Sequence, residues 1–342
     1  MLLKKYHLII CLFALVFISC KKTNQKPVPK TVDTDTVDNA DIYIAGYVNG
    51  TIHGSTAAYW KNGTLVKLTG DSIVSKANAL AVSGTDIYVA GYITNGSHNA
   101  TYWKNGVAVT LTNNSSSASI ASGIAVQGSD IYVSGYLEGS PQKAVYWKNG
   151  TMVDLSTVNA FIESTANAIF VKGSDVYVAG YSYSAAGTAA TYWKNDMPVF
   201  LDDHGAVSAV AFGITVIGAD VYVAGTVSFD ESGAVCWKNG IEIPIGSTYA
   251  TSITSDGVDA YVCGNGYDNI GYWKNGELTP VTANSIDINA RAQSIAVLGK
   301  NVYLAGEVKN LATYWRNGKA VSIAPAAYGS GATAIVVLPR LL

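Results

Sequence analysis

The chain has 342 residues, of which only 13% are charged, with 24 Asp and Glu against 22 Lys and Arg. This mild acidity, spread along the chain, excludes the basic surface that a nucleic-acid partner would need. The 34 glycines, with abundant Ser, Thr, Asn and Val, give an all-β, turn-rich composition.

In chain order the first feature is "MLLKKYHLIICLFALVFISCKK", in which Lys4 and Lys5 precede an apolar run from Leu8 to Ile18. The run is about half the roughly 20 apolar residues of a membrane-spanning helix, so it reads as a signal peptide over residues 1–19. Ser19-Cys20 at its end resembles the processing site of a bacterial lipoprotein, although Phe17 stands where leucine is more usual. The resemblance implies that Cys20 carries lipid and that the protein sits in a bacterial cell envelope, at the outer membrane, facing the periplasm or the exterior. Residues 20–40, with Pro27, Pro29 and no apolar periodicity, form a flexible tether.

From residue 41 one unit recurs. "DIYIAGY" at Asp41 returns as "DIYVAGY" at Asp86, "DIYVSGY" at Asp130, "DVYVAGY" at Asp175, "DVYVAGT" at Asp220, "DAYVCGN" at Asp259 and "NVYLAGE" at Asn301. The steps are 45, 44, 45, 45, 39 and 42 residues, and all seven tryptophans fall at one equivalent place. Each unit has four strand-like segments: a, "ANALAV" from Ala77; b, the "DIYVAGY" stretch; c, ending in "YWK"; and d, as in "LVKLT". Four strands in about 44 residues is the arithmetic of a β-propeller blade. The first unit lacks segment a, and "ATAIVV" from Ala332 supplies one at the far end. Residues 41–342 therefore predict an all-β, seven-bladed propeller, four antiparallel strands per blade, closed by the C-terminal strand completing the first blade.

The a–b stretch, as in "ANALAVSGTDIYVAGY", resembles the bacterial propeller repeats called SBBP repeats along the whole body, whereas the "YWKNG" half lies outside that pattern. The resemblance implies the fold and no particular chemistry.

Within the unit, Asn-Gly after Tyr-Trp-Lys predicts a tight c–d hairpin, because both residues tolerate positive φ. Tyr and Trp are expected to fill the wedge between blades rather than to stack a ligand. The aspartate opening segment b is expected to accept backbone N–H groups of its turn rather than to bind metal. The alanines of segment a suit the crowded innermost strand.

Antiparallel order places a–b and c–d turns on one face of the disc, and b–c and d–a loops, which differ in every blade, on the other. Aromatic residues that the repeat does not require fall in those loops: Tyr183, Tyr249, Tyr267, Tyr328, Phe161 and Phe229 are the candidate ligand-binding residues. His53, His98 and His204 have no metal-ligand spacing and read as solvated loop residues, so no metal, cofactor or catalytic residue is assigned. Cys236 replaces the repeat's Tyr and Cys263 its Ala, which favours two buried thiols over a disulfide. The expectation is a lipid-anchored, monomeric binding or scaffold propeller that recognises a protein or glycan. The alternatives are a polysaccharide hydrolase or lyase, whose acids would include Asp202, Asp203 and Asp230, and a structural envelope protein.

Overall fold

The computed structural model describes residues 39–49, 54–111, 117–156, 162–185, 187–228, 232–246, 249–266, 270–281, 290–323 and 329–340. The signal segment, Cys20, the tether as far as residue 38, His53, Phe161, Phe229, Asp230, Tyr267 and Tyr328 lie outside them, whereas Ala40 already belongs to the first strand.

The alternation within strand b sends successive side chains toward opposite neighbours. In blade one, Tyr43 and Ala45 join Tyr59 against Ala77, Leu80, Val89 and Trp103 of blade two. Ile44 and Trp60 point the other way, against Tyr303, Ala305 and Ala312 of blade seven. Tyr and Trp of the "YWK" segment thus serve two different blade junctions, and Trp60, Trp103, Trp147, Trp193, Trp237 and Trp315 are almost wholly buried.

Among the described residues, 28 strands form five four-stranded sheets and one eight-stranded sheet, which divides into two sets of four at a single parallel bridge, Thr188 with Ser208. Each blade runs a-b-c-d from the axis outward. The inner strands are Ser75–Ser83, Ser119–Gln127, Glu163–Lys172, Ser208–Ile217, Tyr249–Ser255, Arg291–Leu298 and Ser330–Pro339, for blades two to seven and then one. Each lies against the next, and Ser330–Pro339 lies against Ser75–Ser83, so the ring closes. Blade one is completed by this last strand, which pairs antiparallel with Ala40–Asn49 from Ala40 opposite Pro339 to Val48 opposite Ser330. Arg340 secures the join, its Nε donating to Asp41 Oδ1 at 2.9 Å and its Nη2 to the Ala40 carbonyl at 3.1 Å.

Short bonds also staple blade to blade. The hydroxyl oxygens of Ser75, Ser119, Ser164 and Ser330, at the entry of their inner strands, accept the N–H of Ala57, Ala100, Ala144 and Ala312 in strand c of the preceding blade, at 2.9–3.1 Å.

The c–d turns are left-handed at both corners, as the sequence predicts: Asn105 has φ 51° and Gly106 φ 84°, and Asn62-Gly63, Asn149-Gly150, Asn239-Gly240, Asn275-Gly276 and Asn317-Gly318 repeat the pair. The expectation for the recurring aspartate is corrected. It accepts side-chain rather than backbone groups: Asn105 Nδ2 donates to Asp86 Oδ1 at 2.8 Å and Lys104 Nζ lies 2.8 Å from Asp86 Oδ2. The turn asparagine then takes the backbone, its Oδ1 accepting the Ile87 N–H at 2.8 Å. A carboxylate reaches the side chains of the adjacent hairpin more readily than the amides of its own extended strand. Asn301 holds Asn317 in the same way at 2.7 Å, which needs no charge.

Candidate functional site

Every inner strand carries one β-bulge at the same place. Ala77 and Ala79 oppose Gly91 and Ala90, leaving Asn78 as the extra residue, and the shift recurs in all seven blades. A bulge re-aims one side chain out of the pleat. The glycine opposite it is required, because a Cβ on Gly91 would overlap the Lys76 carbonyl oxygen, and Gly46, Gly135, Gly180, Gly225, Gly264 and Gly306 face the same approach.

The re-aimed residues are Asn78, Ser122, Asn167, Phe212, Thr251, Gln293 and Thr333, and all seven line a cavity of about 470 Å³ on the axis. Its wall continues through Leu80, Ile124, Ile169, Ile214, Ile253 and Ile295. Four of the seven bridge to the next inner strand: Asn78 Nδ2 donates to the Ala121 carbonyl, Asn167 to Ala211, Thr251 Oγ1 to Ala292 and Thr333 to Ala77, at 2.8–3.0 Å. Each amide spends one N–H on this bond and has a second N–H and an oxygen left for a ligand. Phe212 alone among them is aromatic, and 37% of it is exposed.

Nearer the loop-bearing face, a rim is built from the last residue of the b motif and its partner in strand a. The pairs are Tyr47 with Gly331, Tyr92 with Lys76, Tyr136 with Ile120, Tyr181 with Thr165, Thr226 with Val210, Asn265 with Tyr249, and Glu307 with Arg291. Blades one to four therefore present an arc of half-buried tyrosines. Burial raises the phenol pKa of Tyr47, Tyr92 and Tyr136, with smaller contributions from Glu307 at Tyr47 and from Glu138 at the other two. These phenols stay neutral donors at physiological pH.

The arc is embedded in a polar network. Lys76 Nζ lies 5.4 Å from the centre of the Tyr47 ring. His98 packs on Tyr92 with ring centres 4.5 Å apart and planes tilted by 52°, and its Nδ1 lies 2.9 Å from Glu138 Oε2 in blade three. His98 is held beside the rim with 37% of its side chain still exposed, and its cross-strand place opposite Thr94 brings it onto the Tyr92 ring.

Of the sequence-predicted residues, Tyr183 and Tyr249 are described, with 39% and 55% of their surface exposed. Backbone bonds such as Ile162 N–H to the Tyr183 carbonyl and Thr94 N–H to the Val74 carbonyl join b–c to d–a ends, so both tyrosines lie on the loop-bearing face. Tyr249 belongs to the rim, whereas Tyr183 stands further along its strand in blade four, with blade five between them. Asp202 and Asp203, considered as acids around the axis, lie at the periphery instead. The Asp202 N–H bonds to the Gly240 carbonyl, and neighbouring His204 reaches Glu242 Oε2 at 3.3 Å in the outermost strand of blade five. Strand d turns outward before the chain returns to the axis, so a d–a loop can end far from it. Cys236 and Cys263 are free and buried, and burial pushes both thiols up to about 12.

The rim tyrosines and the bulge residues do not stand out in the sequence because each lies inside a repeat. The available signal was identity rather than presence: Tyr47, Tyr92, Tyr136 and Tyr181 give way to Thr226, Asn265 and Glu307, and the residue after the inner alanine differs in nearly every blade while its neighbours hardly change.

No family model matches the chain, and no curated protein matches it. The fold is a β-propeller. Among solved structures, the computationally designed Ika8 protein is similar to the chain at 14% identity and TM-score 0.48, covering 85% of this chain and 90% of its own. YCF48 bound to D1 peptide is similar at 11% identity and TM-score 0.46, covering 72% of this chain and 81% of its own.

Proposed function

We propose that this propeller is a binding module whose ligand sits at the loop-bearing mouth of the axis. One observation carries the reading: within the inner strands, the bulge residue that lines the axial cavity changes from blade to blade while its neighbours hardly do. A purely structural ring would gain nothing from five residue types at seven equivalent places.

The chemistry favours a hydroxyl-rich ligand, a glycan in the first instance. Half-buried tyrosines and Phe212 offer ring faces, while the amide groups of Asn78, Asn167 and Gln293 offer neutral hydrogen bonds. Tyr183 and Tyr249 extend this surface outward. Lipid on Cys20 would hold the module on the outer membrane, leaving a tether of some 20 residues to reach its ligand.

The test is a glycan screen with the intact chain, followed by titration of any hit against Tyr136→Ala and Phe212→Ala. Each variant is expected to weaken binding about tenfold, or ~1.4 kcal/mol, with folding intact. Unaltered affinity in both would remove the ligand from the axis, and retention of peptides alone would replace the glycan with a protein partner. For the tether, Cys20→Ala is expected to abolish fatty-acid labelling and membrane retention.

The His98–Glu138 pair beside Tyr92 supports a second reading, a polysaccharide lyase or hydrolase, because a base and an aromatic wall stand together. Product release from polysaccharide, lost in His98→Gln, would promote it over simple binding.

A further inference from the structure

The seven blade junctions are not filled alike. At the junction of blades three and four, Tyr146 leaves strand c and packs with Tyr132 and Leu155 against Ile169, Val176, Val178 and Trp193. Its hydroxyl reaches Asp196, in the c–d turn of the next blade. Tyr59, Tyr102, Tyr192, Tyr272 and Tyr314 hold the same place elsewhere. Between blades five and six the corresponding cluster contains Cys236 where Tyr146 would be, and Ala260 where Val176 would be. No other blade has alanine at the second position, which is Ile42, Ile87, Ile131, Val176, Val221 and Val302 elsewhere.

Two truncations at one junction leave a cavity of about 290 Å³ there, bounded by Cys236, Ile243, Ile245, Val262 and Trp273 and ending at Asn275 and Gly276. Gly276 stands where Asp196 does in blade four. The cavity reaches the surface beside Val258, which is 80% exposed. Tyr222, Lys238 and Asn275 add polar edges to this mainly apolar wall, which suits a ring carrying one polar group, and about 300 Å³ is the lower end of ligand-pocket sizes.

We propose that this gap is a second binding site, for a small monocyclic phenol that takes the path the missing tyrosine follows at the other junctions. The ring lies between Cys236 and Trp273, and the hydroxyl points to the turn at Gly276. The site lies toward the face opposite the rim, beside the a–b turn of Val258 and the c–d turn of Gly276, so it is independent of the glycan reading.

The probe is 4-methylphenol, the side chain of tyrosine as a free molecule. It is expected to raise the melting temperature of the intact chain with dose. It is also expected to slow alkylation of Cys236, read by peptide mass spectrometry, about tenfold at a concentration about ten times its Kd. Cys236→Tyr should fill the gap, raise the melting temperature alone and abolish the response. Ala260→Ile, which restores the residue type of the other blades, should weaken the response if Cys236→Tyr does not fold. No thermal or alkylation response in the unmodified chain, or an equal thermal response in both variants, would overturn the site.

Discussion

At the scale of single residues, the glycine of "Ala-Gly" in strand b shows how a repeat position can be fixed by something outside its own strand. Its missing side chain makes room for the carbonyl of the bulged inner strand, and the bulge in turn aims one side chain at the axis. Gly91→Ala would push a methyl group into the Lys76 carbonyl, where backbone on both sides leaves no way to relax. It is expected to cost about 3 kcal/mol or more, measured as a fall in the urea midpoint, whereas Gly70→Ala, with open space around it, should cost far less.

Among the elements, the c–d hairpin combines a left-handed Asn-Gly corner with an aspartate clamp from strand b. Hydrogen bonds to the charged form hold the carboxyl groups of Asp41, Asp86, Asp130, Asp175, Asp220 and Asp259 below the ordinary 3.8. Lys104 is the larger influence on Asp86 and Lys274 on Asp259, while the turn asparagine leads at the other four. A carboxylate whose pKa is depressed on folding stabilises the fold above its unfolded value and loses that contribution as pH falls through the folded one. The urea midpoint should therefore be level above about pH 5 and decline from about pH 4 toward about pH 2. A variant with asparagine at all six positions, as at Asn301 in the natural chain, should lose most of that slope.

For the whole molecule, stability rests on closing the ring. The strand Ser330–Pro339 supplies the inner strand of blade one, while Thr333 Oγ1 joins the Ala45 carbonyl at 3.1 Å to the Ala77 carbonyl at 2.9 Å across the blade one–two junction. Deleting residues 329–342 would bare the edge of Ala40–Asn49 and break the inner ring at two junctions. The shortened chain is expected to lose cooperative unfolding and to aggregate, seen as a broadened thermal transition and early elution in size-exclusion chromatography. Arg340→Ala, which removes only the latch to Asp41, should lower the melting temperature slightly and keep the transition sharp.

The repeat by itself determined the strands, the Asn-Gly hairpins, the sevenfold count and the return of the last strand to the first blade. All of these depend on local propensity and on a period that recurs along the chain. It also showed which loops vary, and so marked Tyr183 and Tyr249. Only the tertiary structure decided which repeated positions face the axis. A one-residue bulge reverses the inside-outside alternation of a strand, and nothing in "ANALAV" announces that Asn78 rather than Ala77 is the residue turned inward. The same holds for the gap at Cys236 and for the pairing of His98 with Glu138, because both depend on side chains distant in sequence that meet only when neighbouring blades pack.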